Sequence, residues 1–566
     1  MIRTTLTILA LTLAWTPGSA AAQEAPSSRP LTESEVDAWR EDLRVLASEL
    51  PRRHPMPFAG LTPSGLDRQT FDEAVRDLDA RIPSLSRHEV VVGLQRIVAL
   101  VGDGHTSINP RFDPAIGFHY LPLELHAFSD GIFVRTAERG LGELVGARVV
   151  RIGDRAAGEA LAAVGEVVSH ENEPFLREHG TFYLTIPEVL HALGITAEPD
   201  AATLVLEKGG REWTATVRAA GLLEPRGHDP RGPIDTSDWV NMRPPEVDPP
   251  LWLSRQPELQ WFDSQPATKT LYVAYQSSHP GPHDGEPIPA FLRRVFALAD
   301  SVDVERFVLD VRDNMGGESF YNRQLLLGVI RRPALDREGT FFTVIGRGVY
   351  SAAQNLVNDL ERYTNVTFVG EPTGSPPGFF GDHDPLVLPN SAITVRISTL
   401  WWAPRDPRDD RPFTAPRLFV EPSSEDYRAG RDPVLEAIDA WLEEPPLADR
   451  LMAALEAPDP DRLRATFEAY RALPSNRYAA AAVEADVNAL GYHLLRAGRA
   501  EDAVRVFRLN VAAYPGSANV HDSLAEAYEH MGRLEKAAAL YRRALAIDPR
   551  MGSSREGLRR LGVLEE

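Results

Sequence analysis

The sequence contains no cysteine, and it has fewer basic than acidic residues, 60 Lys and Arg against 81 Asp and Glu. Without cysteine the chain can form neither a disulfide bond nor a lipid anchor on a cysteine. The formal net charge of −21 over 566 residues argues against nucleic-acid binding, because phosphate contacts need a basic surface. No stretch beyond the N-terminus is long and apolar enough for a membrane helix. We therefore expect a soluble protein with no nucleic-acid partner and no membrane span.

The N-terminus has the three parts of a secretory signal. Arg3 gives a positive start, Leu6 to Trp15 form an apolar stretch, and Ala20 to Ala22 provide a small-residue cleavage site. The alternative, a membrane anchor, is disfavoured because the apolar part is too short to span a bilayer. Residues 1–22 are therefore a predicted signal peptide, and the mature protein is expected to be exported, periplasmic or secreted.

The remaining chain is long enough for several domains. Three patterns follow one another along the chain. Apolar residues first recur at helical spacing, then β-branched runs are broken by glycine, and finally strands and helices alternate. The phrase "GARVVRIGDRAAGEAL" resembles the strand, turn and helix of a PDZ domain, and we expect a helical insertion around 158–195. The predicted order is an N-terminal helical domain at 31–115, a PDZ-like β-rich region at 116–220, a proline-rich linker at 221–266, and an α/β core with a mostly parallel sheet at 267–442.

The C-terminal part, residues 450–566, repeats with a period of 34. Small, aromatic and proline residues at this period are typical of tetratricopeptide (TPR) repeats. We predict an all-α TPR region that binds a protein partner, with residues 450–487 and the last helix, near Leu558 and Leu561, completing or capping the stack. The repeated positions are Leu490, Gly491, Leu494, Gly498, Ala503, Phe507 and Pro515, followed by Leu524, Ala525, Tyr528, Gly532, Ala537, Tyr541 and Pro549.

Ser351, in "GRGVYSAAQN", lies where a predicted strand turns into a predicted helix. It can cap the helix, or it can be a nucleophile exposed on a tight turn. A nucleophilic serine needs a base, and histidine suits that role near neutral pH. The backbone amides of Gly317 and Ala352 are placed to stabilise a developing oxyanion. A glycine such as Gly316 allows the substrate backbone to approach closely.

Three phrases, "VGDGHTS", "LDVRDNMGGES" and "GRGVYSAAQN", together resemble the tail-specific, or C-terminal processing, serine peptidases over roughly residues 85–442. The resemblance implies a ClpP/crotonase-like core, a peptide or protein substrate and no cofactor. The stretch "GSPPGFFGDHD" lacks the lysine of the lysine-dependent version, whereas "GDGHT" fits the tricorn-like version. The resemblance therefore implies Ser351 as the nucleophile and His105 as the base. The matching residues are Asp310, Arg312, Asn314, Gly316, Gly317, Ser351, Ala352, Ala353 and Gly370 to Gly374.

Two features depart from the family pattern. Gly104 precedes His105 where the family can have serine, and the acidic member of the catalytic network is not identified. Counting back from "VEP" leads to Pro416, which is not an acid. Asp409 and Asp410 nearby, and Glu371 and Asp382 in the other loop, stay open as candidates.

These departures leave an inactive peptidase-like scaffold as the main alternative. A crotonase-type acyl-transfer enzyme fits the sheet but not the export signal. A metal site at His279, His283 and Asp284 is not expected, because these residues lie in a proline-glycine loop. Asp310 and Arg312 are expected to pair and hold their loop.

Overall fold

The computed structural model describes residues 29–62, 64–223, 238–279 and 286–563. The predicted signal peptide lies outside these ranges. Among the described residues, no helix combines the length and apolar character needed to cross a membrane.

Three helices begin the described chain, as the helical spacing predicts. Helix α1 starts with a capping box, in which Thr32 and Glu35 satisfy each other's backbone amides. Its apolar residues recur every three or four positions, so one face is buried, including Leu43, Leu46 and Leu50. The helices are α1 (Glu33–Arg53), α2 (Arg68–Arg81) and α3 (Arg87–Ala99).

A β-rich region follows, and the helical insertion predicted around 158–195 is confirmed. Its main sheet has the strand order β2-β3-β4-β6-β7, with antiparallel neighbours; β5 pairs with β4, β9 pairs with β3, and β1 pairs separately with β8. The elements are β1 (His119–Tyr120), β2 (Leu123–Phe128), β3 (Gly131–Glu138), β4 (Arg148–Ile152), β5 (Arg155–Ala156), α4 (Ala157–Val164), α5 (Glu173–Tyr183), α6 (Pro187–Ala192), β6 (Ala201–Lys208), β7 (Arg211–Arg218), β8 (Gly221–Leu222) and β9 (Trp239–Asn241).

The next region is the predicted α/β core. Its six-stranded sheet has the order β10-β11-β12-β13-β14-β17 and is parallel except for the antiparallel edge pair β10–β11. The elements are β10 (Gln260–Gln265), β11 (Thr270–Tyr275), α7 (Ile288–Ser301), β12 (Arg306–Asp310), α8 (Ser319–Ile330), β13 (Phe341–Ile345), α9 (Ala352–Tyr363), β14 (Thr367–Gly370), β15 (Phe379–Val387), β16 (Thr394–Trp402), β17 (Leu418–Phe419), α10 (Ser424–Arg428) and α11 (Pro433–Glu443).

Both faces of this sheet are covered, which explains its near-continuous apolar strands. Alternate residues of β11 enter two different cores: Leu271 and Val273 pack with α7, α8 and α9, whereas Tyr272 and Ala274 pack with α11. The range 221–266 contributes three strands, β8, β9 and β10, of which β9 joins the β-rich sheet and β10 forms an edge of the core sheet.

The hairpin β15–β16 belongs to the core in sequence but packs on the N-terminal half. Its apolar residues Val395 and Ile397 lie in the same core as Leu46 and Val98. Ser107 and Arg396 exchange backbone hydrogen bonds of 2.9 and 3.0 Å, so the loop after α3 extends the hairpin. This packing is one of several contacts between the two halves of the chain, among them the bonds from Asn172 to the carbonyls of Thr373 and Pro412.

The C-terminal region is helical. Phe507 packs against Gly491, and 34 positions later Tyr541 packs in a core with Ala525, so each large ring fills the space left by a small residue. The helices are α12 (Leu447–Glu456), α13 (Arg462–Arg471), α14 (Ala480–Arg496), α15 (Ala500–Ala513), α16 (Ala518–His530), α17 (Leu534–Ile547) and α18 (Gly552–Arg560).

Candidate active site

Ser351 occupies the turn between β13 and α9 in an unusual backbone conformation. Its φ of 56° and ψ of −124° lie outside the extended region of ordinary N-caps, and its side chain makes no capping bond. A positive φ in a non-glycine residue costs about 1–3 kcal/mol and needs support from its surroundings. The hydroxyl of this half-buried serine is therefore not used to start the helix.

The glycine loop after β12 packs directly against this serine. A Cβ added to Gly316 would lie only 2.8 Å from Cβ of Ser351 and 2.9 Å from the amide nitrogen of Ala352. Gly316 and Gly317 have φ values of 104° and 132°, which side chains disfavour. Only glycine at position 316 permits this close approach.

Asn314 fixes the same loop from inside. Its side-chain amide donates to the carbonyl of Tyr275 over 2.7 Å, and its side-chain oxygen accepts from the amide of Gly316 over 2.9 Å. Arg312 pairs with Asp310 and with Asp432 at 2.8 and 2.9 Å, so the predicted structural pairing of Asp310 and Arg312 is confirmed.

The two amides predicted from sequence belong to the residue after Gly316, which packs against the serine, and to the residue after the serine itself. Ser278 bonds to the carbonyl of Gly316 and to the amide of Glu318, so the amide of Gly317 faces away from Ser278. Ala352 is the first residue of α9, where an amide has no partner within the helix. Asn322 donates to the carbonyl of Ala352 over 2.6 Å and fixes this end of the helix.

His105 follows α3 and reaches the residue next to the serine. Its Nδ1 lies 2.7 Å from the hydroxyl of Tyr350, and its ring stacks on Tyr350 with 4.4 Å between centroids. Phe379 of the hairpin stacks on it at 5.9 Å. No hydrogen bond joins His105 to Ser351, although both belong to the described part of the chain. The imidazole therefore lies beside the turn and is held by Tyr350.

Burial controls the protonation of this imidazole. Burial lowers the pKa of His105 to about 4, with His383 acting in the same direction. The charges of Asp103 and Asp382 and the backbone carbonyl of Phe380 oppose the shift. His105 is therefore neutral at neutral pH and can accept a proton.

Asp103 shapes the histidine loop. It accepts hydrogen bonds from the backbone amide of His105 at 2.9 Å and from the hydroxyl of Thr106 at 2.6 Å, and it lies 3.3 Å from Nε2 of His54. Its nearest oxygen is 3.9 Å from Nδ1 of His105, beyond hydrogen-bond distance. Asp103 thus fixes the loop backbone rather than the imidazole.

The carboxylate nearest the Tyr350 hydroxyl comes from elsewhere. Glu171, just before α5, accepts a hydrogen bond from the Tyr350 hydroxyl over 3.3 Å. Asp103, His105 and Glu171 offer ligand atoms within 4.8 Å of one another, a spacing that can hold a metal ion. Because both oxygens of Asp103 already accept hydrogen bonds, the cluster is better described as a hydrogen-bond network.

The four acids proposed from sequence have other partners or are exposed. Asp409 pairs with Arg411, Glu371 pairs with Arg347, and Asp410 is exposed. Asp382 accepts from Trp402 over 3.0 Å, and it acts on His105 only through its charge.

Sequence reasoning missed both Glu171 and Tyr350. Only the position of Tyr350 directly before Ser351 could have drawn attention to it. Of the metal candidates, His283 and Asp284 lie outside the described residues.

Comparison with solved structures supports the fold. Mature CPAF complexed with lactacystin aligns with 74% of this chain and 99% of its own, at 13% identity and a TM-score of 0.50. A CPAF mutant aligns with 72% of this chain and 97% of its own, at 12% identity and a TM-score of 0.51. The photosystem II D1 C-terminal processing protease covers 71% and 99% at 14% identity, with a TM-score of 0.31.

The sequence comparisons are more limited. No curated protein matches the chain. A tetratricopeptide repeat family model matches residues 518–551. These comparisons agree with the predicted resemblance at the level of the fold: the described chain has a mixed helix-and-sheet fold similar to that of CPAF, followed by a C-terminal helical region with a TPR match.

Proposed function

We propose that the chain is an exported serine endopeptidase with Ser351 as the nucleophile and His105 as the general base. The conformation of Ser351 carries the proposal, because its strained turn leaves the hydroxyl free of the helix and presses its backbone against the Gly316 loop. Turns of this kind expose a nucleophilic oxygen at the end of a strand. The structural similarity to CPAF, at 12 to 13% sequence identity, supports the fold. The proposed nucleophile and base come from the site residues of this chain.

The proposed reaction passes through an acyl-enzyme. The Ser351 oxygen attacks the peptide carbonyl carbon while His105 takes the hydroxyl proton. The amides of Gly317 and Ala352 bind the resulting oxyanion. The C–N bond then breaks as His105 gives its proton to the leaving amine, and water hydrolyses the ester with His105 again accepting and returning a proton.

The imidazole must approach the serine for this step. Hydrogen bonds between catalytic groups are often long without substrate and tighten when it binds. His105 belongs to the N-terminal half and Ser351 to the core. Tyr350 links them, because its hydroxyl bonds to His105 and its backbone continues into Ser351. In the proposed reaction, closure of one half on the other or rotation of the imidazole ring has to bring Nε2 to the hydroxyl.

The remaining assignments extend the same proposal. The substrate is a peptide or protein, and Gly316 contributes to binding its backbone. The PDZ-like region holds a substrate end, the TPR region binds a protein partner, and the core is ClpP/crotonase-like and tricorn-like. Residues 1–22 direct export and are removed, so intact-mass analysis of secreted protein should give a chain that begins after Ala22.

Labelling with a fluorophosphonate probe tests the nucleophile. We expect the native chain to be labelled, and Ser351→Ala and His105→Ala to lose labelling by at least about 100-fold. Ser423→Ala is the matched control, because the Ser423 hydroxyl does cap its helix, accepting from the amide of Asp426 over 3.1 Å. Equal labelling of native and Ser351→Ala protein would contradict the proposal.

A second function, a catalytically inactive scaffold that binds peptides or proteins through its TPR region, is favoured by one observation. Nδ1 of His105 is bonded to Tyr350, and no hydrogen bond connects the ring to Ser351 among the described residues. An unlabelled native chain that still binds a peptide or protein through residues 450–566 would support this alternative.

A further inference from the structure

The hydrogen-bond network behind His105 ends in a buried glutamate. Glu171 is 5% exposed, and its Oε1 accepts from the Tyr350 hydroxyl over 3.3 Å. Its Oε2 makes no hydrogen bond of good geometry within the described ranges, although the backbone amide of Gly104 lies close enough to favour its charge, and a Cβ added to Gly104 would lie 3.0 Å from it. Burying a carboxyl group that is only partly satisfied costs free energy, so its place beside Tyr350 requires an explanation.

Tyr350 is held rigidly between this glutamate and the histidine. Its ring packs between Phe175, at 4.8 Å, and His105, at 4.4 Å between centroids. Its own amide donates to the carbonyl of Asn314, which also anchors the Gly316 loop. The hydroxyl is therefore fixed relative to Ser351, the next residue in the chain.

The Tyr350 hydroxyl carries one proton for two neighbours. When Glu171 is ionised it only accepts hydrogen bonds, so the hydroxyl proton then points to Oε1. The remaining contact, 2.7 Å long, must then be donated by Nδ1–H of His105 to the Tyr350 oxygen. In a neutral imidazole this leaves Nε2 without a proton and able to act as a base.

We propose that Glu171 and Tyr350 are positioning residues of the proposed peptidase: Glu171 orients the Tyr350 hydroxyl, and the hydroxyl holds Nδ1–H of His105 so that Nε2 can take the Ser351 proton. The inference rests on the proposed function and supplies the carboxylate that the sequence pattern left unidentified. Asp103 is excluded from this role, since its oxygens are bonded to the loop and lie at least 3.9 Å from Nδ1.

The pH dependence gives this role a specific signature. Burial and the neighbouring charge of Asp103 raise the pKa of Glu171 well above its usual range, opposed by the amide of Gly104 and by Tyr350. Asp103, Asp382 and His383 face His105 itself. When Glu171 takes up a proton on acidification, it can donate to Tyr350, and the hydroxyl proton then turns toward Nδ1. The tautomer with a basic Nε2 is lost, so reactivity falls as Glu171 becomes protonated.

Fluorophosphonate labelling rates measured between pH 4 and pH 9 test the proposal. We expect Tyr350→Phe and Glu171→Gln to react about 10–100-fold more slowly than native protein at pH 7.5. In Glu171→Gln the part of the acidic fall in rate that belongs to Glu171 should disappear, which leaves only the fall near pH 4 where His105 itself takes up a proton. The controls are Glu188→Gln, a buried glutamate bonded to His119 over 2.6 Å, and Tyr183→Phe, a buried tyrosine of α5. Both should keep the native rate and pH profile.

Folded Tyr350→Phe and Glu171→Gln proteins with the native rate and profile would overturn the proposal, as would faster labelling of either. Should a variant not fold, ¹⁵N NMR of the native chain decides, with the His105 signals assigned by their loss in His105→Gln. A proton on Nδ1 at pH 7.5 supports the proposal, and a proton on Nε2 contradicts it. Failure of the proposed function looks different, because native and Ser351→Ala protein would then label equally or not at all.

Discussion

The serine side and the histidine side of the candidate site are built in different ways. Ser351, Ala352 and the Gly316–Gly317 loop lie at the ends of neighbouring parallel strands, β12 and β13, of one sheet. His105, Glu171 and Phe379 come from three separate segments: the loop after α3, the segment before α5, and the hairpin β15–β16, which packs on the N-terminal half. The serine side is therefore fixed by one sheet, whereas the histidine side depends on the contact between halves.

The largest expected effect tests the serine side. In Gly316→Ala, the new methyl group would lie 2.8 Å from Cβ of Ser351, and the φ of 104° would be strained. We expect fluorophosphonate labelling to fall by at least 100-fold, which corresponds to about 3 kcal/mol of lost transition-state stabilisation. Gly158→Ala, in open space within α4, should label normally. Normal labelling of Gly316→Ala would show that the loop does not support the serine.

The next effect concerns the histidine side and pH. Burial lowers the folded-state pKa of His105 to about 4, whereas an unfolded chain binds this proton near 6.5. As pH falls from 6.5 to 4, the unfolded state takes up more protons, so the free energy of unfolding decreases by up to roughly 3 kcal/mol. Denaturant titrations at several pH values give the free energy of unfolding as a function of pH. Between pH 6.5 and 4 this free energy should fall more steeply in native protein than in His105→Gln. An equal pH dependence of the unfolding free energy in the two proteins would contradict a lowered pKa of His105 in the folded state.

A smaller effect is expected from weakening the contact between α1 and the hairpin β15–β16. Asp42 of α1 is buried and accepts hydrogen bonds of 2.9 Å from the backbone amides of Asn390 and Ser391, in the turn of the hairpin. Asp42→Ala should lower the free energy of unfolding by about 2 kcal/mol, since it leaves these amides unpaired. Labelling should slow several-fold, because the hairpin holds Phe379 against His105. Asp37→Ala, an exposed position on the same helix, is the control.

The smallest effect on the site is expected from the TPR region. In Gly491→Ala, the added Cβ would lie 2.4 Å from the Phe507 ring, which should cost about 1 kcal/mol. The melting temperature should fall while labelling stays at the native rate. Gly552→Ala, which meets no atom within 4 Å, should not destabilise the chain. A large change in labelling for Gly491→Ala would show that the TPR region supports the active site.

The same contrast explains what the sequence could predict. The strands β11 to β14, the glycine loop and the position of Ser351 follow from local patterns: buried apolar runs, paired glycines and a helical repeat. The 34-residue period likewise located the TPR region that the family model matches at 518–551. These features need only residues that are close in sequence.

Glu171 and Tyr350 could not be found in this way. Their contact spans 179 positions, and the contact between Tyr350 and His105 spans 245. In the sequence Tyr350 is one more apolar residue beside the serine, and Glu171 is an acid in a polar loop. Only the packing of the N-terminal half against the α/β core gives these side chains a common environment.

That hairpin also has a consequence for synthesis of the protein. The core that contains Leu46 and Val98 is completed by Val395 and Ile397, which leave the ribosome about 300 residues later. During synthesis the N-terminal half therefore exposes part of its apolar surface until nearly three quarters of the polypeptide has been made. A truncated gene product that stops before residue 394 would lack this cover, so shortened versions should aggregate rather than yield an independent front domain.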